Sequence, residues 1–120
     1  MTVPENGEGS TAALSLTSST VDEIAVIRVD GVLDATTREQ FADYLSLAGP
    51  DLILDLAGVT FMDSRALGLI VHHWQTSLSS GAKFALIGVE YAKSKVMWIT
   101  GLAQRLPIYD TLDDALAAIG

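Results

Sequence analysis

Two periodicities alternate along the chain, and they divide it into strands and helices. Leu14, Leu16 and Thr17 sit in a β-favouring stretch that gives way to a polar segment at residues 18–23. The run IAVIRV at residues 24–29 predicts a strand paired antiparallel with the first, and Asp30-Gly31 carries the turn signal that should end it. A helix follows, with Asp34 or Thr36 as its cap, Phe41, Tyr44 and Leu45 at helical spacing, and Gly49-Pro50 as its stop. LILDL at residues 52–56 is nearly continuous in apolar character, as expected of a parallel strand covered on both faces. Asp63-Ser64 opens a second helix. Leu67, Ile70, Val71, Trp74 and Leu78 fall on one of its faces, and Gly81 ends it. KFALIGV at residues 83–89 predicts another strand, and Ala92, Val96 and Ile99 mark the buried side of a short third helix stopped by Gly101. Ile108-Tyr109, after Pro107, predicts a last edge strand. Thr111 then caps a final helix running through Leu116 and Ile119, with Asp113 and Asp114 in the first turn, where carboxylates oppose the helix dipole.

Two opening strands followed by alternating helix and strand predict an α/β domain. The expected architecture is one mixed sheet of four to five strands with about four helices packed mainly on one face, joined by right-handed crossovers. Residues 12–120 should form this single domain. Residues 1–11, MTVPENGEGST, lack an apolar run and a basic start, so they are expected to be a flexible tail and not a signal peptide.

Composition narrows the functional classes. Fifteen Asp and Glu against seven Lys and Arg give a net charge of -8, which opposes a main partner that is DNA, RNA or an anionic membrane. Mean hydropathy is +0.36, yet no apolar run approaches the ~18–20 residues needed to span a bilayer, so no membrane insertion is expected. The chain has no cysteine, which removes disulfides, thiolate metal sites and cysteine nucleophiles. With no targeting signal, a cytoplasmic location is expected.

Candidate chemistry is sparse. Asp63, Ser64 and a histidine suggest a hydrolase triad, but His72 lies eight residues beyond Ser64, about 12 Å along a helix. His72 and His73 diverge by about 100° on a helix, poor geometry for one metal. Asp30, Asp34, Asp55 and Asp63 have no metal-loop spacing, and no glycine-rich phosphate loop occurs. No catalysis, cofactor or metal is expected.

Ser64 stands out for its place at the start of the second helix, where backbone N–H groups lack partners and favour an anion. A phosphoryl group there would add about −1.5 to −2 charges at one spot. The simpler reading is that Asp63 or Ser64 is only an N-cap. Beside the core face of this helix, Arg65, Gly68, Leu69 and His72 form a line at three- and four-residue spacing. That line is the expected partner-binding surface, with the alternative that Leu69 packs under a neighbouring loop and His72 is merely solvated. Trp98 is expected to cover core, with an exposed interaction anchor as the other reading.

Several segments, in order, resemble the STAS domain of the bacterial anti-sigma factor antagonist type. Asp63-Ser64-Arg65-Ala66-Leu67-Gly68 is similar to the family's D-S-[S/T]-G-L-G, and Gly31-Val32-Leu33-Asp34 with Thr36 or Thr37 is similar to its G-E-[IL]-D-x-x-T. Ile99-Thr100-Gly101-Leu102, Pro107-Ile108-Tyr109 and Thr111 with Ala115-Leu116 are similar to its closing region, so the resemblance runs from about Leu14 to Ile119. It implies a STAS fold and a partner-switching role. The unphosphorylated protein would bind an anti-sigma factor, often itself an ATP-dependent serine kinase, and so release a sigma factor for transcription. The kinase would modify the serine after the motif aspartate, here Ser64, and a phosphatase would restore binding. The resemblance also implies a monomer when free. Arg65 replaces the usual Ser or Thr and Ala66 the usual Gly, so Arg65 is a candidate partner for a phosphate and Ala66 changes how the turn enters the helix. Two alternatives on the same fold stay open. One is an adaptor subunit of a transporter-associated or stress-sensing complex, with Ser64 only a cap. The other is a small-ligand-binding regulator using a pocket beside the Asp34 and Asp63 loops.

Overall fold

The structure, a computed structural model, describes residues 13–120. The expected tail at residues 1–11, and Ala12 at the expected domain boundary, lie outside the described residues. In chain order the strands are β1 (Leu14–Val21), β2 (Ile24–Leu33), β3 (Leu52–Met62), β4 (Phe84–Ile87) and β5 (Ile108–Tyr109). The helices are α1 (Arg38–Leu47), α2 (Ser64–Ser80), α3 (Lys95–Ile99) and α4 (Leu112–Ile119), with a 3-10 turn at Leu102–Gln104. The strands form one sheet in the order β1-β2-β3-β4-β5. The β1–β2 pair is antiparallel and the other three pairs are parallel. This is the mixed α/β sheet the hydrophobic pattern predicts.

Burial explains the layering. β3 occupies the middle of the sheet, and Leu52, Ile53 and Leu54 are all fully buried, which accounts for a run without polar alternation. Alternate strand residues feed two cores. On one face Leu52, Leu54 and Leu86 pack with Phe41 and Leu45 of α1, Leu67 and Ile70 of α2, and Met97 of α3. On the other, Ile24, Ile53, Ala85 and Ile87 meet Ala115 of α4. Three helices therefore share one face and one helix covers part of the other. Burying each Leu, Ile or Phe contributes about 1.5–3 kcal/mol, so the first core supplies most of the stabilisation.

Several local expectations need correction. β1 runs on through Ser18, Ser19 and Thr20 to Val21, because an edge strand with solvent around it tolerates polar side chains. The chain reverses at Asp22-Glu23, both at positive φ (52° and 67°), so a two-residue turn forms without glycine. Asp30-Gly31 is not a turn. β2 passes through it, the β2–β3 register slips around it, and Gly31 adopts φ 116° where any Cβ would collide with the Ala13 carbonyl oxygen. On α2, Leu78 is 67% exposed while Ser77 is buried and donates to the Trp74 carbonyl at 2.6 Å. Val71 and Trp74 are only half-buried, against the first core. Around α3, Ser94 and Met97 are buried and the expected Val96 is half-buried against the first core, while Ala92 and Ile99 are exposed. Trp98 is also exposed, edge-on to Tyr91 with ring centroids 5.2 Å apart, and does not cover core. On α2 the expected Leu67 and Ile70 are fully buried and the departure is confined to the last turns, where Ser77 and not Leu78 faces inward, since periodicity fixes the spacing of a face more closely than its phase against a neighbour.

Candidate functional site

The parallel strands β2 and β3 end side by side; β3 leads into α2 through Asp63 alone, and β2 leads into α1 through a bend at residues 34–37. The two ends are tied by the Asp63 N–H, which donates to the Leu33 carbonyl at 2.9 Å. Asp34 and Asp63 thus open neighbouring loops, as their spacing in the sequence could not show.

At the β3–α2 junction, Asp63 is extended (φ -102°, ψ 178°) and its Oδ1 accepts from the Ala66 N–H at 2.9 Å. Asp63 is therefore the N-cap, an interaction worth about 1 kcal/mol. Ser64 is the first helical residue and is exposed, and its hydroxyl has no hydrogen-bond partner among the described residues. Arg65 is exposed too, with no ion pair among the described residues. Ala66 is fully buried, so its methyl faces the core.

At the β2–α1 junction, Asp34 and Thr36 were the expected caps, but Thr37 is the N-cap residue of α1. The Asp34 Oδ1 accepts from the Thr36 N–H at 2.9 Å and from the Thr36 hydroxyl at 2.6 Å. The Thr36 hydroxyl, followed by desolvation in the opposite sense and by the backbone N–H groups of Thr36 and Thr37, holds the Asp34 carboxyl below its ordinary value. The carboxylate is turned into its own loop. Short polar side chains bond to nearby backbone in this way, which makes a tight, self-contained bend.

Further along α2 the expected partner line is partly exposed. Gly68 and His72 face solvent, whereas Leu69 is half-buried and packs on the first core. Leu69, His72 and His73 line a groove between α2 and α1, opposite Ala42, Leu45 and Ser46. Leu69 thus packs beside a helix and not under a loop. His73 lies against Phe84, ring centroids 5.3 Å apart, and burial pushes its pKa down.

A feature the sequence did not signal lies on the other side of Ser64. A cleft of ≈ 400 Å³ separates the β3–α2 junction from α3. Phe61, Asp63 and Ser64 line one wall, and Lys93, Lys95 and Ile99 the other. Phe61 is 52% exposed and Ile99 81% exposed, so the rim is apolar. Asp34 is not part of it. The pair Lys93 and Lys95, close together in a chain with seven cations, was the available signal. Among the described residues no group of three or more His, Asp or Glu is placed to hold a metal, and no helix is long and apolar enough to cross a membrane.

Known proteins share this architecture. The model of the STAS domain matches residues 15–115. A candidate anti-sigma factor antagonist from Thermotoga maritima is 32% identical over 104 residues, covering 82% of this chain and 92% of that protein. Among solved structures, an anti-sigma factor antagonist from Mycobacterium paratuberculosis superimposes with a TM-score of 0.78 at 26% identity, covering 89% of this chain and 94% of the other. The anti-sigma factor antagonist SpoIIAA, in its unphosphorylated form, gives a TM-score of 0.69 at 25% identity, covering 89% and 96%. With a mixed five-stranded sheet, a serine at the head of α2 and a family match over most of its length, the chain belongs to the STAS domain family.

Proposed function

We propose that this protein is an anti-sigma factor antagonist whose partner binding is switched at Ser64. It binds an anti-sigma factor of the serine-kinase type through the start of α2, along Arg65, Gly68, Leu69 and His72, and thereby frees a sigma factor for transcription. The kinase moves the γ-phosphoryl group of ATP to the Ser64 Oγ. ADP leaves and the hydroxyl proton passes to a base on the kinase. A phosphatase reverses the modification. The chain acts as a binding protein in the cytoplasm and not as an enzyme, without a cofactor, and is monomeric when free.

One observation carries this reading. Asp63 caps α2, which leaves the Ser64 hydroxyl exposed and without an intramolecular partner. A serine needed as the cap would be tied to the N-terminal N–H groups and its modification would disturb the helix. Here a dianion can be added at the surface, where it imposes desolvation and repulsion on a docked partner that supplies no cation. The names of the relatives point to the same partner class.

Incubation with the cognate kinase and ATP, followed by mass spectrometry, tests the reading. Phosphate on Ser64, lost in Ser64→Ala, is the expected result. A kinase that modifies its own substrates but leaves Ser64 untouched would overturn it in favour of an adaptor role.

A further inference from the structure

The cleft beside Ser64 brings scarce positive charge to the one hydroxyl that the switch requires. Of seven Lys and Arg in a chain of net charge -8, two line this cleft opposite Ser64. We propose that Lys93 and Lys95 form a receiving site for the phosphoryl group on Ser64, so that modification draws α3 toward the β3–α2 junction and closes the cleft. This inference rests on Ser64 being the modified residue and adds where the phosphate goes.

Both lysines are available for that role. The Lys93 ammonium approaches the Glu90 carboxylate at 3.7 Å, with the two side chains 46% and 53% exposed, a surface contact that contributes little and is easily exchanged. Lys95 is exposed and has no ion pair among the described residues. A lysine ammonium is a compact charge on a flexible stem with three donors, suited to a phosphate whose oxygens are not held in one orientation. The other charged groups around the cleft are Asp63, Glu90 and Arg65. Asp63 has one oxygen engaged by the Ala66 N–H, Glu90 pairs with Lys93, and Arg65, next to Ser64 on the helix, adds positive charge. Phe61 and Ile99 flank the cleft, so its closure would exclude water from the ion pairs and reduce their screening. Closure would also remove these two exposed side chains from the surface a partner meets. The modification would then hide apolar area as well as add charge.

The test uses the full chain with phosphoserine incorporated at position 64 during translation, and needs no kinase. Phosphorus NMR follows the second ionisation of the phosphate, ordinarily near ~6. Capture by the two ammonium groups should lower it by about half a unit to one unit. Lys95→Gln and Lys93→Gln should each return part of that shift, and the double variant most of it. Lys83→Gln, a charge-matched control before β4 at the opposite end of the sheet, should leave it unchanged. Thermal unfolding of each variant verifies the fold. An ordinary phosphate titration in the parent, or equal shifts from all three lysines, overturns the proposal. Because phosphate is installed without a kinase, the cleft can fail while Ser64 remains a kinase substrate, and the reverse outcome is equally visible.

Discussion

The β2–α1 and β3–α2 junctions begin alike and end differently. Each leaves a parallel strand through an aspartate followed by hydroxyl residues, Asp34 with Thr36 and Thr37, and Asp63 with Ser64. In the first, every hydroxyl is engaged within the bend. Thr36 donates to Asp34, and the buried Thr37 donates to the Val32 carbonyl at 2.8 Å while accepting from the Asp34 N–H at 3.1 Å. In the second, the aspartate alone satisfies the helix and the serine is left to solvent. Similar residues therefore serve structure in one loop and leave an exposed hydroxyl in the next. What separates them is that Asp63 caps α2 with its side chain, whereas no side chain caps α1 and the hydroxyls are bound within the bend before it.

The largest expected effect concerns modification. Treatment with the cognate kinase should place phosphate on Ser64 and none on Thr36 or Thr37, and should weaken anti-sigma factor binding by more than about tenfold, measured by calorimetry. Phosphate on Thr36 at comparable occupancy would erase the distinction. Stability should show the opposite order. Thr37→Val leaves the part-buried Asp34 N–H and Val32 carbonyl without the hydroxyl and should cost about 1–2 kcal/mol in urea unfolding. Ser64→Ala should stay within about 0.5 kcal/mol, as for an exposed side chain with no partner. Asp63→Ala, between the two, should cost about 1 kcal/mol through loss of the cap.

These contrasts also show how far the sequence can be read. The central strand was visible in LILDL, and the ends of α2 and α4 were visible in Asp63, Gly81 and Thr111, because caps depend on residues a few positions apart. Ser64 was visible for the same reason. The tie between the two junctions was not, since it joins Leu33 to Asp63 through backbone atoms that carry no sequence signature. Nor was the cleft, whose walls lie about thirty residues apart in the chain. Gly31 misled because glycine serves both turns and close backbone contacts, and only the position of Ala13 decides between them.

Gly68 sharpens the comparison from another side. It lies exposed within α2, and a Cβ there would meet nothing within 4 Å. Glycine in a helix interior is less favourable than alanine by roughly 0.5–1 kcal/mol. Gly68→Ala should therefore raise the unfolding midpoint while weakening anti-sigma factor binding, if the partner approaches the bare backbone. Unchanged affinity in this stabilised variant would move the docking line away from Gly68. The smallest effect is expected at Asp34. Its folded pKa lies below the ordinary 3.8, so its contribution to stability is present above that value and is lost as pH falls through the depressed one. In Thr36→Val the carboxyl should titrate closer to the ordinary value by carbon NMR.

The hairpin between β1 and β2 has a separate consequence. Its bend holds Asp22 and Glu23 in a left-handed conformation that glycine or asparagine adopts with less strain. That turn joins the far ends of these strands, since Val21 pairs with Ile24 whereas Leu14 pairs with Gly31 toward the Asp34 loop. Glu23→Gly would relieve about 1 kcal/mol of strain. The molecule thus carries a reserve of heat tolerance in a corner remote from the Ser64 end of the sheet, where an engineer can harden the fold without touching the proposed switch.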